Sequence, residues 1–275
     1  MPARPPAAQL HHELLDEWEL WLRAGDASDN TVRTRRDGVK LLWYAAGTQD
    51  PVSIPTMAVV RWLASCNTKW TRCTYAASAR AWFKWLQQRG YRNDNPMLEL
   101  PMPKTPRSVP RPAPSNVVHE VLDVCGRRAR AYIVCGAFLG LRVHEIAKIR
   151  GEDFDDEGWY YVRGKGDVVA AIPTHLLVEQ LRIGYPDKGY WFPGQVDGHV
   201  GSATVTTVVS RAFAKAGHHI TAHQLRHWFG THAQRIGKDV RVTQALLRHA
   251  NIASSQIYTL VADQHMQEIV RRLAV

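Results

Sequence analysis

Three short segments follow one another near the end of the chain: His223-Gln-Leu-Arg226-His227-Trp228, then Leu247-Arg248-His249, then Ser254-Ser255-Gln-Ile-Tyr258. The Arg226 guanidinium is a planar fork of donors that matches two phosphate oxygens. His223 and His249 can donate a hydrogen bond or transfer a proton near neutral pH. The Tyr258 hydroxyl can attack phosphorus and remain bonded to it. Because His223 and Arg226 are three residues apart, we expect them to share one face of a helix.

A second segment upstream contains another arginine, in the order Leu139-Gly140-Leu141-Arg142-Val-His-Glu145. We expect Gly140 and Leu141 to set a turn directly before Arg142. Glu145 follows one helical turn later and can orient neighbouring cations without reacting itself. Taken alone, Arg142 and Glu145 are also what an ordinary helical ion pair looks like.

A glycine-flanked lysine stands between two predicted strands, 159–163 and 168–172. The connecting residues are Gly164-Lys165-Gly166-Asp167, which permit a tight turn and place Lys165 at its tip. Most turns of this kind are ordinary surface turns, so the lysine gains meaning only from the other segments.

Together these segments resemble the tyrosine recombinase (phage integrase) family. That family has Thr-Gly-Leu-Arg-x-x-Glu, a lysine in a hairpin, His-x-x-Arg-His, Leu-Gly-His, and a tyrosine about nine residues further on. This chain departs from the pattern at Leu139 in place of Thr, Arg248 in place of Gly, and Trp228 where Ser or Thr is common. The second Lys and Arg usual after the hairpin lysine are also absent, since the segment from Val169 to Ala171 is apolar.

The resemblance implies a mainly α fold with a small β-sheet, in which an α+β catalytic domain follows a helical, SAM-like bundle and the two form a clamp on DNA. It implies a site-specific recombinase that cuts DNA through a 3′-phosphotyrosyl intermediate and needs no metal, ATP or other cofactor. The implied catalytic residues are Tyr258, Arg142, Arg226, Lys165, His223 and His249, with Glu145 in support.

The organisation of the chain agrees with two domains. A proline-rich segment over 101–114 separates residues 1–100 from residues 115–275, and six prolines in fourteen residues exclude a helix interior or central strand there. The net charge is +10, and the excess is shared: 15 Lys+Arg against 10 Asp+Glu over residues 1–110, and 20 against 15 over 111–275. Basic surfaces on both sides of a linker indicate a polyanionic partner such as DNA, although a solvated basic surface is the alternative.

Four amphipathic helices are predicted in the first hundred residues, over about 9–24, 30–46, 55–66 and 70–89. The first should bury Trp18 and Trp21 on one side. The fourth should carry a basic row in which Ala76 lies between Arg72 and Arg80, a face that can approach a DNA backbone closely. The predicted DNA-binding residues are Arg33, Arg36, Lys40, Arg72, Arg80 and Lys84.

Further expectations concern partners and place. The resemblance implies double-stranded DNA, a homotetramer on DNA from a protein that is monomeric when free, and an accessory directionality factor as a further candidate partner. Few residues precede the first helix, so we expect recognition of core attachment sites without an arm-binding domain, as in Cre-like and Xer-like members.

Neither a signal sequence nor an apolar run of membrane-spanning length is present, and four unpaired cysteines suit the cytoplasm of a bacterial host. The C-terminal stripe of Met266, Ile269, Val270 and Leu273 should dock either on its own domain or on a neighbouring protomer.

Rival interpretations remain at this point. An Xer-like recombinase that resolves chromosome dimers and a type IB topoisomerase would use the same chemistry. A catalytically silent DNA-binding regulator is a rival of another class. A zinc site at His223 and His227 is disfavoured, because Gln224 stands where a zinc hydrolase needs glutamate and Arg226 would repel the metal.

Overall fold

The computed structural model describes residues 7–48, 50–106, 111–163, 169–248 and 263–273, without the side chains of 7–12, 169 and 263–266. The chain divides into two compact units, Met1–Ser108 and Val109–Val275, and the division falls inside the proline-rich segment. The Cys73 thiol of the first unit donates to the carbonyl of Pro103 at 3.5 Å. In the second unit, the Ala113 N–H donates to the carbonyl of Gln224 at 3.1 Å. Each end of the predicted linker is therefore attached to the unit beside it.

The described part of the first unit is helical. Its helices are α1 (Ala7–Ala24), α2 (Asp29–Ala46), α3 (Thr56–Ala64) and α4 (Lys69–Gln88). The Ser28 side chain caps α2 by accepting the N–H of Thr31, and Thr68 caps α4 in the same way. Gly47 ends α2 with a left-handed φ of 61°. Such caps satisfy backbone groups that the helix leaves free, which explains why the predicted boundaries are close to the observed ones.

Tryptophan rings form the centre of the first core. Trp82 meets Trp18 edge-on with 5.0 Å between ring centroids and meets Trp43 at 5.7 Å. Helices α2 and α4 approach closely because Gly38 has no side chain: a Cβ there would lie 2.8 Å from the Cβ of Ser78. This packing fixes the two helices that carry the predicted DNA-binding residues.

Two sequence-based assignments in this unit were wrong. Trp21, expected on the buried side of α1, is 43% exposed. Ala76, expected on a basic surface row, is fully buried, and the small residue exposed beside Arg80 and Lys84 is Ala77. Helix α4 contacts both α2 and α3, which buries a wider arc than a single amphipathic stripe and draws Ala76 into the core.

The second unit is a helical domain with a small sheet. Its elements are α5 (Ser115–Val124), α6 (Arg127–Phe138), α7 (Val143–Ala147), β1 (Trp159–Arg163), β2 (Val169–Pro173), α8 (Leu176–Arg182), β3 (Pro193–Val196), α9 (Ser202–Lys215), α10 (Ala222–Gly237), α11 (Val240–Leu247) and α12 (Asp263–Arg271). Strands β1 and β2 are antiparallel, from the pair Trp159 and Pro173 to the pair Arg163 and Val169. Strand β3 lies in the segment between α8 and α9, outside the two strands that the sequence predicted.

Helices α6 and α10 cross at the centre of this unit, and α10 buries Leu225, Trp228 and Phe229 there. Helix α12 docks on its own unit, where Ile269 and Leu273 are buried. The buried His175 ring donates from Nε2 to the carbonyl of Leu273 at 3.1 Å. The predicted fold class, mainly α with a small β-sheet, is confirmed. No described helix is long and apolar enough to cross a membrane.

Candidate active site

The turn before α7 presents Arg142. Gly140 adopts a left-handed φ of 61°, and a Cβ there would lie 2.4 Å from the ring of Phe229 on α10. Only glycine fits this position, because a side chain would strain the backbone and collide with the ring. Leu141 is buried beside it, and the chain turns at Arg142, the N-cap of α7. The side chain of Arg142 remains 37% exposed.

Glu145 on α7 is the centre of the site, and its side chain is 8% exposed. Its Oε2 accepts the backbone N–H of Arg142 at 2.7 Å, and its Oε1 accepts Nη1 of the same arginine at 3.0 Å. Nη2 of Arg248 donates to Oε2 at 2.7 Å, and Nη1 of Arg226 lies 4.0 Å from that oxygen. One buried carboxylate therefore gathers three guanidinium groups.

Arg226 reaches the site from the buried side of α10. The helix begins where the Gln224 side chain accepts the N–H of Thr221 at 2.9 Å, so Arg226 lies in its first turns. Its side chain is 4% exposed and donates to the carbonyls of Gly140 and Leu247. Those two bonds join the loop before α7 to the end of α11.

Arg248 is a site residue that the sequence analysis missed. It follows α11 with φ 52° and ψ 49°, and its side chain turns inward to Glu145 with 9% exposure. The only signal in the sequence was its departure from the family's Leu-Gly-His, and such a departure does not reveal where the new side chain points.

The electrostatics of the cluster follow from its burial. Burial alone would raise the pKa of Glu145, but the charge of Arg248, the Arg142 N–H and the charges of Arg142 and Arg226 outweigh it, so the pKa lies below the ordinary 4.5. Burial and the neighbouring charges of Arg248 and Arg142 lower the pKa of Arg226 to about 9. Both groups are therefore ionised at neutral pH, and three cations face one carboxylate. This arrangement is ready to bind an anion.

His223 stands near the start of α10, three residues before Arg226. Partial burial and then the charges of Arg226 and Arg142 hold its pKa below 6.5, so the ring is neutral at pH 7 and can accept a proton. Its ring centroid lies 4.3 Å from that of His227 in an edge-on contact.

Lys165, His249 and Tyr258, predicted to complete the site, lie outside the described residues. Their neighbours are described: β1 ends at Arg163 and β2 begins at Val169, on either side of the residues that contain Lys165, and Arg248 directly precedes His249. Nε of Arg163, at the end of β1, donates to the buried Asp153 at 3.0 Å. The site roles of the three residues remain predictions.

The predicted DNA-binding arginines and lysines of the first unit differ in what they contact. Arg80 and Lys84 are exposed on α4. Arg72 donates from Nε and Nη2 to the carbonyls of Leu63 and Cys66 at 3.0 and 3.1 Å, which caps the end of α3. On α2, Arg33 donates to Asn30, Arg36 pairs with Asp16 and Glu19, and Lys40 is partly exposed. Arg33, Arg80 and Lys84 are thus the exposed members of this set, whereas Arg72 donates to the backbone at the end of α3.

Comparison with known proteins gives a consistent result. The phage integrase family matches residues 115–265, more than half of the chain. The tyrosine recombinase XerA of Pyrococcus furiosus is 29% identical over 282 residues, which cover 96% of this chain and 94% of the relative. The solved structure of the integrase from mycobacterium phage Brujita is 40% identical, covers 95% of this chain and 92% of its own, and superposes with a TM-score of 0.58.

The fold also matches a lambda integrase tetramer bound to a Holliday junction, with a TM-score of 0.69 at 17% identity over 90% of this chain and 80% of that one. The helical fold, the paired arginines around Glu145 and the family match together identify an enzyme of DNA recombination. The chain belongs to the phage integrase family and is a tyrosine recombinase.

Proposed function

We propose that this protein is a site-specific recombinase of the phage integrase type that integrates and excises DNA at core attachment sites, with Tyr258 as nucleophile. The observation that carries the proposal is the cluster of Arg142, Arg226 and Arg248 on the single carboxylate of Glu145. The cluster carries more positive than negative charge, and a bound phosphodiester would supply the missing negative charge.

The chemistry follows from charge stabilisation. Uncatalysed phosphodiester cleavage is very slow, and its catalysis rests on positioning and on stabilising charge at the phosphoryl oxygens. Arg142, with its partly exposed guanidinium, and Arg226 would hold the non-bridging oxygens, and His249 would add a donor. Glu145 would keep the two arginines in place without reacting.

Bond formation and proton transfer balance as follows. The Tyr258 oxygen bonds to phosphorus and the bond from phosphorus to the 5′ oxygen breaks. The tyrosine proton passes to His223, whose depressed pKa keeps it neutral at pH 7, and Lys165 gives a proton to the leaving oxygen. The 3′-phosphotyrosyl bond retains the energy of the broken one, so a 5′ hydroxyl from a partner strand can reverse the step.

Similarity favours an integrase over an Xer-type resolvase. The phage Brujita integrase is 40% identical over nearly the whole chain, whereas the archaeal XerA is 29% identical over a comparable length. Double-stranded DNA is the proposed partner, and the net charge of +10 supports it. Strand exchange between two duplexes requires four active sites, so we propose a tetramer on DNA.

A strand-exchange assay tests this function. Covalent adducts formed on sheared genomic DNA would be trapped in detergent and sequenced to find the sites, and two labelled duplexes carrying those sites would then be mixed with the protein. Hybrid products from two non-identical sites, absent with Tyr258→Phe, are expected. Products only from identical repeats would indicate an Xer-like resolvase, relaxation without hybrids a topoisomerase, and binding without adducts a silent regulator.

A further inference from the structure

Arg248 occupies a backbone conformation that suits glycine. With φ 52° and ψ 49° it lies in the left-handed region, where it ends α11 by donating its N–H to the carbonyls of Ala245 and Gln244. L residues with a Cβ disfavour this region, whereas glycine adopts it freely. Arg248 therefore adopts a backbone conformation that is less favourable for it than for glycine.

The Arg248 side chain makes that interaction inside the candidate active site. It is 9% exposed and donates to Glu145 Oε2 at 2.7 Å, to the Leu246 carbonyl at 3.1 Å and to the Gly140 carbonyl at 3.4 Å. Its Nε is buried with no hydrogen-bond partner among the described residues. A buried guanidinium with an unpaired donor lowers stability, so its presence calls for an explanation such as a role for its charge in the site.

The contacts of Arg248 reach both of the predicted phosphate-binding arginines. It shares Glu145 with Arg142, since Oε2 accepts both Arg248 Nη2 and the Arg142 backbone N–H at 2.7 Å. It shares the Gly140 carbonyl with Nη1 of Arg226. Arg248 thus donates to one oxygen atom in contact with each of the two arginines, while the Arg142 guanidinium itself is held by the other oxygen of the same carboxylate, Oε1.

We propose that Arg248 is a positioning residue for DNA cleavage. Its guanidinium fixes Glu145 and the Gly140 carbonyl, and these hold Arg142 and Arg226 where both can bind the scissile phosphate. The proposal rests on the proposed function. It also assigns the cluster a net formal charge of +2, from three guanidinium groups and one carboxylate among the described residues. This positive charge attracts a phosphodiester, and it stabilises the phosphate more strongly as negative charge develops on the phosphoryl oxygens in the transition state.

The rival explanation is that Arg248 is merely tolerated where glycine would serve. Arg248→Gly separates the two, because it relieves the backbone and removes the guanidinium. The matched control is Lys238→Gly: Lys238 is exposed, ends α10 with φ 52°, and lies away from the cluster. Both substitutions should make the left-handed backbone conformation more favourable. The difference between their cleavage rates therefore reports on the side chain of Arg248.

The experiment is single-turnover cleavage of a suicide DNA substrate under saturating protein, with the DNA dissociation constant and the urea midpoint measured beside it. We expect Arg248→Gly to slow adduct formation on the order of 10-fold to 100-fold, the scale of a small misplacement of reacting groups, with little change in DNA affinity. Lys238→Gly should cleave like wild type, and Arg248→Lys, which keeps the charge but not the planar fork, should recover part of the rate.

A pH profile gives a readout that a purely structural role would not move. Without the Arg248 charge the pKa of Glu145 rises, so the loss of cleavage that follows protonation of Glu145, a limb separate from that of His223, should occur at higher pH in Arg248→Gln. Glu145 interacts electrostatically with charged or titratable groups of the surrounding elements: Arg142, His144, Tyr160, Arg226 and Arg248.

Equal cleavage rates and acid limbs for wild type, Arg248→Gly and Arg248→Gln would overturn the positioning role and leave the proposed function standing. Failure of the wild-type protein to form any adduct on DNA that it binds would overturn the proposed function, and the Arg248 role in cleavage would fall with it. If Arg248→Gly does not fold, Arg248→Lys and Arg248→Gln decide the question by the same two readouts.

Discussion

Replacing Glu145 by glutamine is the sharpest test of how the cationic cluster is held together. Glutamine keeps the size of the side chain and can still accept a hydrogen bond, but it removes the charge that three arginines share. Arg226 and Arg248 are only 4% and 9% exposed, so water cannot replace the lost carboxylate. The substitution leaves buried positive charge without a partner.

The expected loss is large. Breaking a buried ion pair by removing one partner costs about 3–5 kcal/mol, because the remaining charge is left uncompensated. The free energy of unfolding of a typical domain is about 5–15 kcal/mol, so Glu145→Gln should consume a substantial share of the stability of the second unit.

The loss should depend on pH in a defined direction. The pKa of Glu145 is lower in the folded protein than its ordinary 4.5, so its ionised form stabilises the fold. That contribution is complete above pH 4.5 and disappears as the pH falls through the folded value. The difference in stability between wild type and Glu145→Gln should therefore shrink as the solution is acidified below pH 4.5.

Urea unfolding followed by tryptophan fluorescence measures both effects. Glu268→Gln is the matched control, because Glu268 pairs with Arg272 across one helical turn at 3.7 Å with both side chains about two-thirds exposed. Exposed helical pairs contribute only about 0.3–0.5 kcal/mol. Equal midpoints for the two variants at neutral pH would refute the argument that Glu145 compensates a buried cationic cluster.

Three further predictions follow from particular contacts. Gly140→Ala should lower the free energy of unfolding by roughly 2–5 kcal/mol, since it strains a left-handed turn and drives a Cβ into Phe229; an unchanged thermal midpoint would contradict this. Arg80→Ala should weaken DNA binding and reduce the salt dependence by about one ion without altering the urea midpoint, whereas Arg72→Ala should lower that midpoint because it removes donors to the end of α3; binding isotherms across salt and urea curves distinguish them. If neutral His223 accepts the tyrosine proton, the cleavage rate should fall as the pH drops through its depressed pKa, below 6.5, and His223→Gln should abolish that limb.

The predicted helix boundaries of the first unit agree with the structure to within two residues, and the structure shows local causes for several of them. Ser28 and Thr68 cap helices through their own side chains, and Gly47 and Gly140 adopt left-handed conformations, so each acts within a few residues of itself. The strand pair on either side of residues 164–168 followed from two short apolar runs separated by glycines. Such features require no knowledge of the rest of the fold.

The side-chain positions that the sequence did not predict depend on packing between distant elements. Trp21 has the periodicity of a buried residue, yet α1 needs only Trp18 and the neighbouring leucines to fill the core, and Trp21 stays exposed. The sequence pattern predicts that Arg72 is a surface cation, but carbonyl groups at the end of α3 lie close enough to accept its hydrogen bonds.

Arg248 illustrates the same limit within the candidate site. The motif pattern identified the arginines at 142 and 226 as a pair, and the structure brings both to Glu145. The third arginine reaches that carboxylate only because the end of α11 lies against the start of α7, a contact between residues 103 positions apart in the chain. No local pattern encodes such a contact.

The central claim is that Tyr258 forms a covalent bond to DNA. A nicked suicide duplex carrying the attachment site would be incubated with the wild-type protein and with Tyr258→Phe, denatured in detergent and resolved by size. We expect a DNA-linked protein band with wild type that is absent with Tyr258→Phe, although both bind the duplex equally. A band of equal strength with Tyr258→Phe, or no band with wild type on DNA that it demonstrably binds, would contradict it.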